Sequence, residues 1–478
     1  MKRISKKYCI LGAGPAGLGA AWELANHNEN DIIVVDMNKT FGGLARTEKF
    51  GDSLFDVGPH RFFSRNQEIN QLWHDLLGSD FRPVSRLTRV FYKNKFFLYP
   101  INFKDVILQM GPIAAFHALI SYLYAQMSKN ADSVETFEDW VIANFGQKLY
   151  RTFFKTYTEK VWGIPCNHIG ADWAAQRIKG LDLTKLVKNS LGFGRNNSPK
   201  TLADEFDYPT KGAGMMYDRM AEKLYDKGVQ FLTQTRVNSI DRQDNRLISL
   251  LAISPENSAV LIQADHFISS IPITHFINML NPPFENSVAD ACKALYYRDH
   301  ITVNLEIDNA NVFPDQWIYV HSPDVKLARI ANYRNFSSEM TSRNGVTPIS
   351  VEYFTFQHED IWQMDDNELI EFSIAELQMM GLLSEGPAQQ GWVVRETETY
   401  PTYYLGYEQH IKVIRNKMDG LSNFTPIGRG GMYKYNNMDH SLYTGLLAGR
   451  NLINQGRQQY DIWKVNIDAE YHESAERA

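Results

Sequence analysis

The run Y-C-I-L-G-A-G-P-A-G-L-G, residues 8–19, constrains this chain more than any other stretch. Its apolar residues predict a buried strand, and glycines at 12, 14 and 17 predict a tight turn into a helix from Pro15 to about Ala25. Gly12 permits the turn, Gly14 leaves backbone bare where a pyrophosphate can approach, and Gly17, next to Ala16, lets helix and strand touch. Free N–H groups at the start of that helix suit a phosphate. A second apolar strand, Ile32 to Val35, ends at Asp36, whose carboxylate can accept hydrogen bonds from both ribose hydroxyls of an adenosine. A glycine triplet alone is weak, but strand, turn, helix, strand and acid in this order point to dinucleotide binding.

The next segment, F-G-G-L-A-R-T-E, selects between dinucleotides. Gly42 and Gly43, followed by Leu44 and Ala45, can lie against a second phosphate or ribitol, and Arg46 can supply charge. A second glycine pair marks FAD sites more than NAD sites, so non-covalent FAD is the expected cofactor. The run G-D-S-L-F-D-V-G-P-H-R-F-F reads as a strand entering a turn at Gly58-Pro59, which sets His60 and Arg61 close to the flavin.

With 478 residues the chain is too long for one ordinary core, and two or three domains are expected. A content of 44% hydrophobic and 22% charged residues is that of a globular protein, and a net charge of −6 gives no support to nucleic-acid binding. Cys9, Cys166 and Cys292 cannot all pair and have no metal-ligand spacing, so a reducing cytoplasm and no metal are expected. The basic start runs straight into the nucleotide-binding strand. The apolar run Gly111 to Met127 is short for a membrane span and reads as a buried or interface helix, with peripheral membrane contact left open.

The predicted fold class is α/β: a Rossmann-like FAD-binding domain with an inserted helical lobe and an antiparallel-sheet substrate lobe. The FAD domain is expected in three segments, 1–102, 201–272 and 395–463. Helical periodicity over 103–200 marks the inserted lobe, in segments such as Asp105 to Met127 and Gly146 to Thr158. Alternating β-branched and aromatic runs over 273–394, including Ile301 to Ile307, Trp317 to Val320 and Ile349 to Phe356, mark the sheet lobe. Near the end, I-G-R-G-G-M-Y-K-Y-N-N-M-D-H-S precedes an apolar helix from about Leu442 to Ile453, with Asp439 or Ser441 as its cap. A polar tail, 464–478, follows.

Together these blocks resemble the amine oxidase and protoporphyrinogen oxidase-like flavoproteins, and among them the UDP-galactopyranose mutases. G-A-G-P-A-G-L-G and G-G-L-A-R-T belong to the wider group, whereas G-P-H-R-F-F is similar to the mutases' glycine-x-histidine-x-phenylalanine segment beside the flavin. Y-T-E-K-V-W-G-I-P followed by A-D-W-A-A-Q-R is similar to the mutase segment that stacks uracil and reaches the diphosphate. The resemblance implies Tyr157 as the uracil-stacking residue with Trp162 beside it, and Arg177 and Arg329 as diphosphate arginines. Tyr333, Tyr400 and Tyr435 complete the substrate residues it implies. Arg429 is implied near flavin and sugar. Gly428, Met438, Asp439 and Ser441 join the implied flavin contacts, and His60, Arg177, Arg329 and Arg429 the implied catalytic set. Pro59 departs from the family, which usually has a small residue there.

The resemblance further implies a nucleotide-sugar substrate whose pyranose and furanose forms are interconverted through a covalent sugar adduct of reduced flavin, for cell-surface polysaccharide synthesis. NAD(P)H is a candidate reductant, and the oligomeric state stays open. The alternative is an FAD-dependent oxidoreductase of the amine oxidase, protoporphyrinogen oxidase or desaturase kind, acting on an apolar substrate. The arginine and tyrosine matches favour the mutase.

Overall fold

Two short runs, Cys9–Leu11 and Ile32–Val35, are apolar at every position and buried on both faces, which is the signature of central parallel strands. In the computed structural model, which describes residues 2–99, 103–127, 134–171, 173, 205–384, 390–454 and 459–466, they form the middle of an eight-stranded sheet. Lys2–Leu11 pairs in parallel with Ile32–Val35 on one side and Ala259–Ser269 on the other. Gln230–Leu232 adds a parallel strand beyond Ile32–Val35, and Phe424–Pro426 adds one to Ala259–Ser269. Arg236–Gln243 and Arg246–Ile253 extend the sheet in antiparallel fashion to an edge at Leu280–Asn281. Three distant stretches of sequence thus build one sheet, and its edge strand Leu280–Asn281 comes from residues expected in the substrate lobe.

Helices Pro15–Asn26, Gly214–Asp226 and Met438–Asn454 share the core on one face of that sheet. The first and last approach so closely that a Cβ on Gly445 would stand 2.0 Å from the Ala16 carbonyl oxygen, and one on Gly19 2.6 Å from that of Leu442. The last helix opens one turn earlier than its hydrophobic pattern indicated. The Asn437 carbonyl accepts the Ser441 N–H at 2.9 Å, so Asp439 and Ser441 lie inside the first turn and do not cap it.

The second sheet has seven strands in the order Gln390–Pro401, Tyr297–Ile307, Thr347–Thr355, Arg329–Asn332, Trp317–Val320, Thr88–Tyr92, Lys95–Leu98. Its two longest inner strands, Tyr297–Ile307 and Thr347–Thr355, are buried at every residue. The last two strands come from residues expected in the first FAD segment. They form a hairpin whose turn residues Lys93 and Asn94 both have positive φ, 48° and 58°, matching the twist that such tight turns require. The hairpin runs alongside Trp317–Val320 and ties the N-terminal segment to the substrate-side sheet.

Against the second sheet packs the helical lobe, with helices Phe103–Met110, Pro112–Met127, Phe137–Phe145 and Lys155–Trp162, the last entered through a π-helical turn at Tyr150–Phe154. Thr136 and Asp139 form a reciprocal capping box. Pro112–Met127 packs inward on Ala115, Ala118, Tyr122 and Ala125 and exposes Ile113, Phe116, Ile120, Leu123, Tyr124 and Met127. Among the described residues no helix is long and apolar enough to cross a membrane. Lys160 joins the lobe to the second sheet: its buried ammonium donates to the carbonyls of Val320, Ser322 and Leu327 at 3.2, 2.7 and 2.9 Å.

Candidate flavin and anion site

The nucleotide end of the site grows from the first strand-turn-helix. Gly12 has φ +103° and donates its N–H to Val35 at 2.8 Å, which places the turn over the end of the neighbouring strand. A Cβ on Gly17 would come within 1.8 Å of the Gly12 carbonyl, so the helix start rests directly on the turn. Asp36 accepts from Ala13 N at 2.6 Å and Asn38 N at 2.7 Å, and burial raises its pKa. The second glycine pair stands against the first: a Cβ on Gly43 would lie 3.2 Å from the Gly14 Cα. Two side-chain-free backbone turns beside a helix N-terminus, with an acid at the end of the next strand, fit the pyrophosphate and adenosine of FAD. A Cβ on Gly428 would stand 2.8 Å from the Ala16 Cβ, Ala16, Ala45 and Met438 share one core, and Met438, Asp439 and Ser441 open the helix that crosses Pro15–Asn26.

Arg46 differs from the expectation of a charge offered to the cofactor. It is 5% exposed and bonds Glu48 at 2.6 Å, the Gly43 carbonyl at 3.0 Å, and Glu396 of the second sheet. Its role in the structure is to clamp the glycine turn to that sheet.

The reacting end is built around the turn at Gly58, φ +84°. A Cβ there would fall 2.9 Å from a Glu352 oxygen and 3.6 Å from Arg329 Nη2, so the turn lies directly on an ion pair. His60 points back into its own loop, with Nε2 donating to the Leu44 carbonyl at 2.8 Å and close to that of Val57 at 3.1 Å. Burial, reinforced by the charges of Arg329 and Arg429, pulls its pKa down to about 4. Arg61 lies over the Trp317 ring, 5.8 Å from its centroid.

Arg429 sits over two aromatic rings, with its guanidinium carbon 5.0 Å from the Tyr400 centroid and 4.8 Å from that of Tyr435. Those rings stack at 5.4 Å. Arg429 also donates to the carbonyls of Asn436 at 2.9 Å and Thr399 at 3.3 Å. Tyr400 has its pKa pushed up to about 12 by burial and the neighbouring Tyr435. Tyr157 stacks on His321 at 4.6 Å and meets Tyr319 edge-on at 5.5 Å, and its buried hydroxyl lies within electrostatic reach of the Arg329 guanidinium.

The structure therefore brings His60, Tyr157, Arg329, Tyr400, Arg429 and Tyr435 together. Two expected members stand apart. Trp162 is 3% exposed within the helical lobe's core, against Trp173, Tyr403 and the backs of Tyr400 and Tyr435. Tyr333 is fully buried, with its hydroxyl donating inward to the Asp56 carbonyl at 2.8 Å, so it serves the core and leaves the anion-binding set. Arg177 lies outside the described residues.

Sequence reasoning passed over Glu352, His300, His321 and Glu396. Glu352 had a readable signal, because an acid inside the apolar run I-S-V-E-Y-F is buried only when paired.

The family model for flavin-containing amine oxidoreductases matches residues 15–424. The chain is 25% identical over 170 residues to a dTDP-fucopyranose mutase of Escherichia coli, covering 34% of this chain and 44% of that one. It is 28% identical over 174 residues to a UDP-galactopyranose mutase of Mycoplasma genitalium, covering 33% and 39%. These matches span less than half of the relatives' lengths. A crystal structure of reduced UDP-galactopyranose mutase superposes with a TM-score of 0.82 at 20% identity, covering 97% of this chain and 96% of that one. The fold is shared along nearly the whole chain, and with the family model it establishes that the chain belongs to the flavin-containing amine oxidoreductases.

Proposed function

We propose that the protein is an FAD-dependent nucleotide-sugar mutase that interconverts pyranose and furanose forms. The observation that carries this reading is the convergence of Arg329, Arg429 and three tyrosines at the Gly58–His60 turn. A cationic site lined by aromatic rings suits a nucleoside diphosphate better than the apolar substrate of an oxidase. The mutases among its relatives support the same choice.

A bound, reduced flavin would supply the electron-rich nucleophile that such an isomerisation needs, with no net redox change. The protein's own work is then to hold and orient. Tyr157 offers a π face to the base, Arg329 holds the diphosphate near the sugar so that its return is effectively intramolecular, and Arg429 stands near flavin and sugar. The Arg329 charge also stabilises the diphosphate as it becomes a leaving group. His60 is neutral across the physiological range, with its Nε2–H fixed on Leu44, so Nδ1 remains as an acceptor. Arg177 belongs to this reading as a second diphosphate arginine, NAD(P)H as the source of reducing equivalents, and polysaccharide synthesis as the setting.

The test is a titration of the FAD-loaded, reduced protein with UDP, followed by flavin absorbance. Arg329→Ala and Arg177→Ala are each expected to weaken UDP at least about tenfold while retaining flavin, since a hydrogen bond to a charged group is worth about 1.5–3 kcal/mol. Unchanged UDP affinity in both variants contradicts the assignment.

A further inference from the structure

Arg329, the central cation of the proposed site, is already paired before any ligand arrives. It starts strand Arg329–Asn332 directly opposite Glu352 on Thr347–Thr355. Its Nε and Nη2 engage both oxygens of Glu352, the second at 2.9 Å. The same Glu352 oxygen receives His300 Nε2 at 3.1 Å from the next strand, Tyr297–Ile307. Glu352 is wholly buried and His300 nearly so, whereas the Arg329 side chain keeps 17% of its surface exposed. Among the described residues Arg329 Nη1 has no hydrogen-bond partner. A carboxylate with three donors on it stays ionised, and Glu352 is held down to about 2 despite its burial, chiefly by Arg329 and then by His300.

This arrangement limits how Arg329 can meet a diphosphate. A guanidinium grips phosphate hardest through two parallel N–H groups, and its Nε–Nη2 edge is closed by Glu352. Only the outer N–H groups remain for an incoming anion, and the positive charge behind them is half cancelled. Gly58 packs on the same carboxylate, so the ion pair lies directly beneath the turn that carries His60.

Resting on the nucleotide-sugar reading, we propose that Glu352, steadied by His300, is a positioning residue that holds Arg329 in place and weakens its hold on the diphosphate. A group that must leave and return in each turnover is thereby kept near the sugar without being trapped as a tightly bound ground state. The neutralised pair also withholds a net positive charge from the flavin turn.

The measurement compares wild type, Glu352→Gln and His300→Leu, each FAD-loaded and reduced, with UDP and inorganic pyrophosphate as probes. Glu352→Gln removes the counter-charge and is expected to tighten both ligands by about tenfold while lowering kcat by at least that factor, a split in which KM and kcat fall together. Its flavin midpoint potential is expected to rise, because an uncompensated cation favours the anionic reduced form. His300→Leu removes a competing donor, drives Glu352 harder onto Arg329, and is expected to weaken both ligands roughly threefold. A structural role alone would lower affinity and turnover in both variants. Should Glu352→Gln fail to retain flavin, His300→Leu carries the test through its flavin midpoint potential, which is expected to fall as Glu352 compensates Arg329 more fully and which a merely structural role would not move. Wild type that ignores UDP and pyrophosphate removes the parent reading. Wild type that binds them, with affinities in the flavin-retaining variants unchanged within twofold or moved in the opposite directions, overturns this inference by itself.

Discussion

Gly17 shows how little room the nucleotide turn leaves. A methyl group at this position would stand 1.8 Å from the Gly12 carbonyl, closer than real contacts allow, so either the helix or the turn must move. Gly17→Ala is expected to yield a protein that loses most of its flavin on gel filtration, with a lowered Tm that added FAD does not restore. Normal flavin content would contradict the role given to this contact. The same glycine was legible from spacing alone, because close helix-strand approach admits almost no other residue. Arg46 was legible as important but not in its partner, since Glu396 is 350 positions away and meets it only through the second sheet. Tyr333 shows the reverse case: a phosphate-binding tyrosine in the motif, a core hydroxyl in the fold.

His321 provides a pH signature at the same scale. It is buried against Tyr157 with Nδ1 unpartnered, and burial together with the Lys160 charge pulls its pKa down to about 3. The unfolded chain takes up a proton near the ordinary histidine pKa of about 6.5, whereas the folded chain does not until about 3. The unfolded state therefore binds more protons in that window, and His321 makes stability fall as pH drops, by up to about 1.4 kcal/mol per unit. Urea unfolding between pH 7 and 5 is expected to show a shallower acid slope in His321→Gln than in wild type. Parallel slopes would mean that this histidine titrates normally in the fold.

Among the elements, the crossing of Pro15–Asn26 with Met438–Asn454 carries the most consequence, because it brings the C-terminal segment onto the phosphate-binding helix. Gly445 lies at the closest approach, and Gly449 follows one turn on, with a Cβ position 2.8 Å from the Glu23 Cβ. Gly445→Val is expected to destabilise by about 3 kcal/mol or more, since both backbones must part, and to lower FAD occupancy with it. A wild-type thermal midpoint in that variant would show that the crossing can relax. The helix was readable from its apolar period, but its first turn was not: Met438–Ser441 is set by the loop that delivers Asn437, a tertiary constraint. The hairpin Thr88–Leu98 was not read as strands, its residues being assigned only to the first FAD segment. Its place in the second sheet leaves no local trace, because the pairing of Thr88 with Trp317 spans 229 positions.

At the scale of the molecule, a mixed sheet with a parallel centre, a largely antiparallel sheet and a helical lobe meet where Gly58, His60, Arg329, Tyr400 and Arg429 converge. Arg46–Glu396 joins the glycine turn to the second sheet, and Lys160 joins lobe to sheet through three carbonyls. The three-part organisation and its flavin were legible because strands and glycine turns have strong local signatures. The site's electrostatics were not, since Glu352 and His300 gain meaning only when three strands bring them to Arg329.

The most direct test of the account is isomerisation of UDP-galactopyranose, with dTDP-linked and other nucleotide sugars in parallel, by the purified FAD-loaded protein before and after dithionite reduction, products being separated chromatographically. Furanose is expected from the reduced protein and none from the oxidised protein. No turnover of any nucleotide sugar, with UDP leaving the flavin spectrum unchanged, would contradict the mutase reading and point instead to oxidation of an apolar substrate.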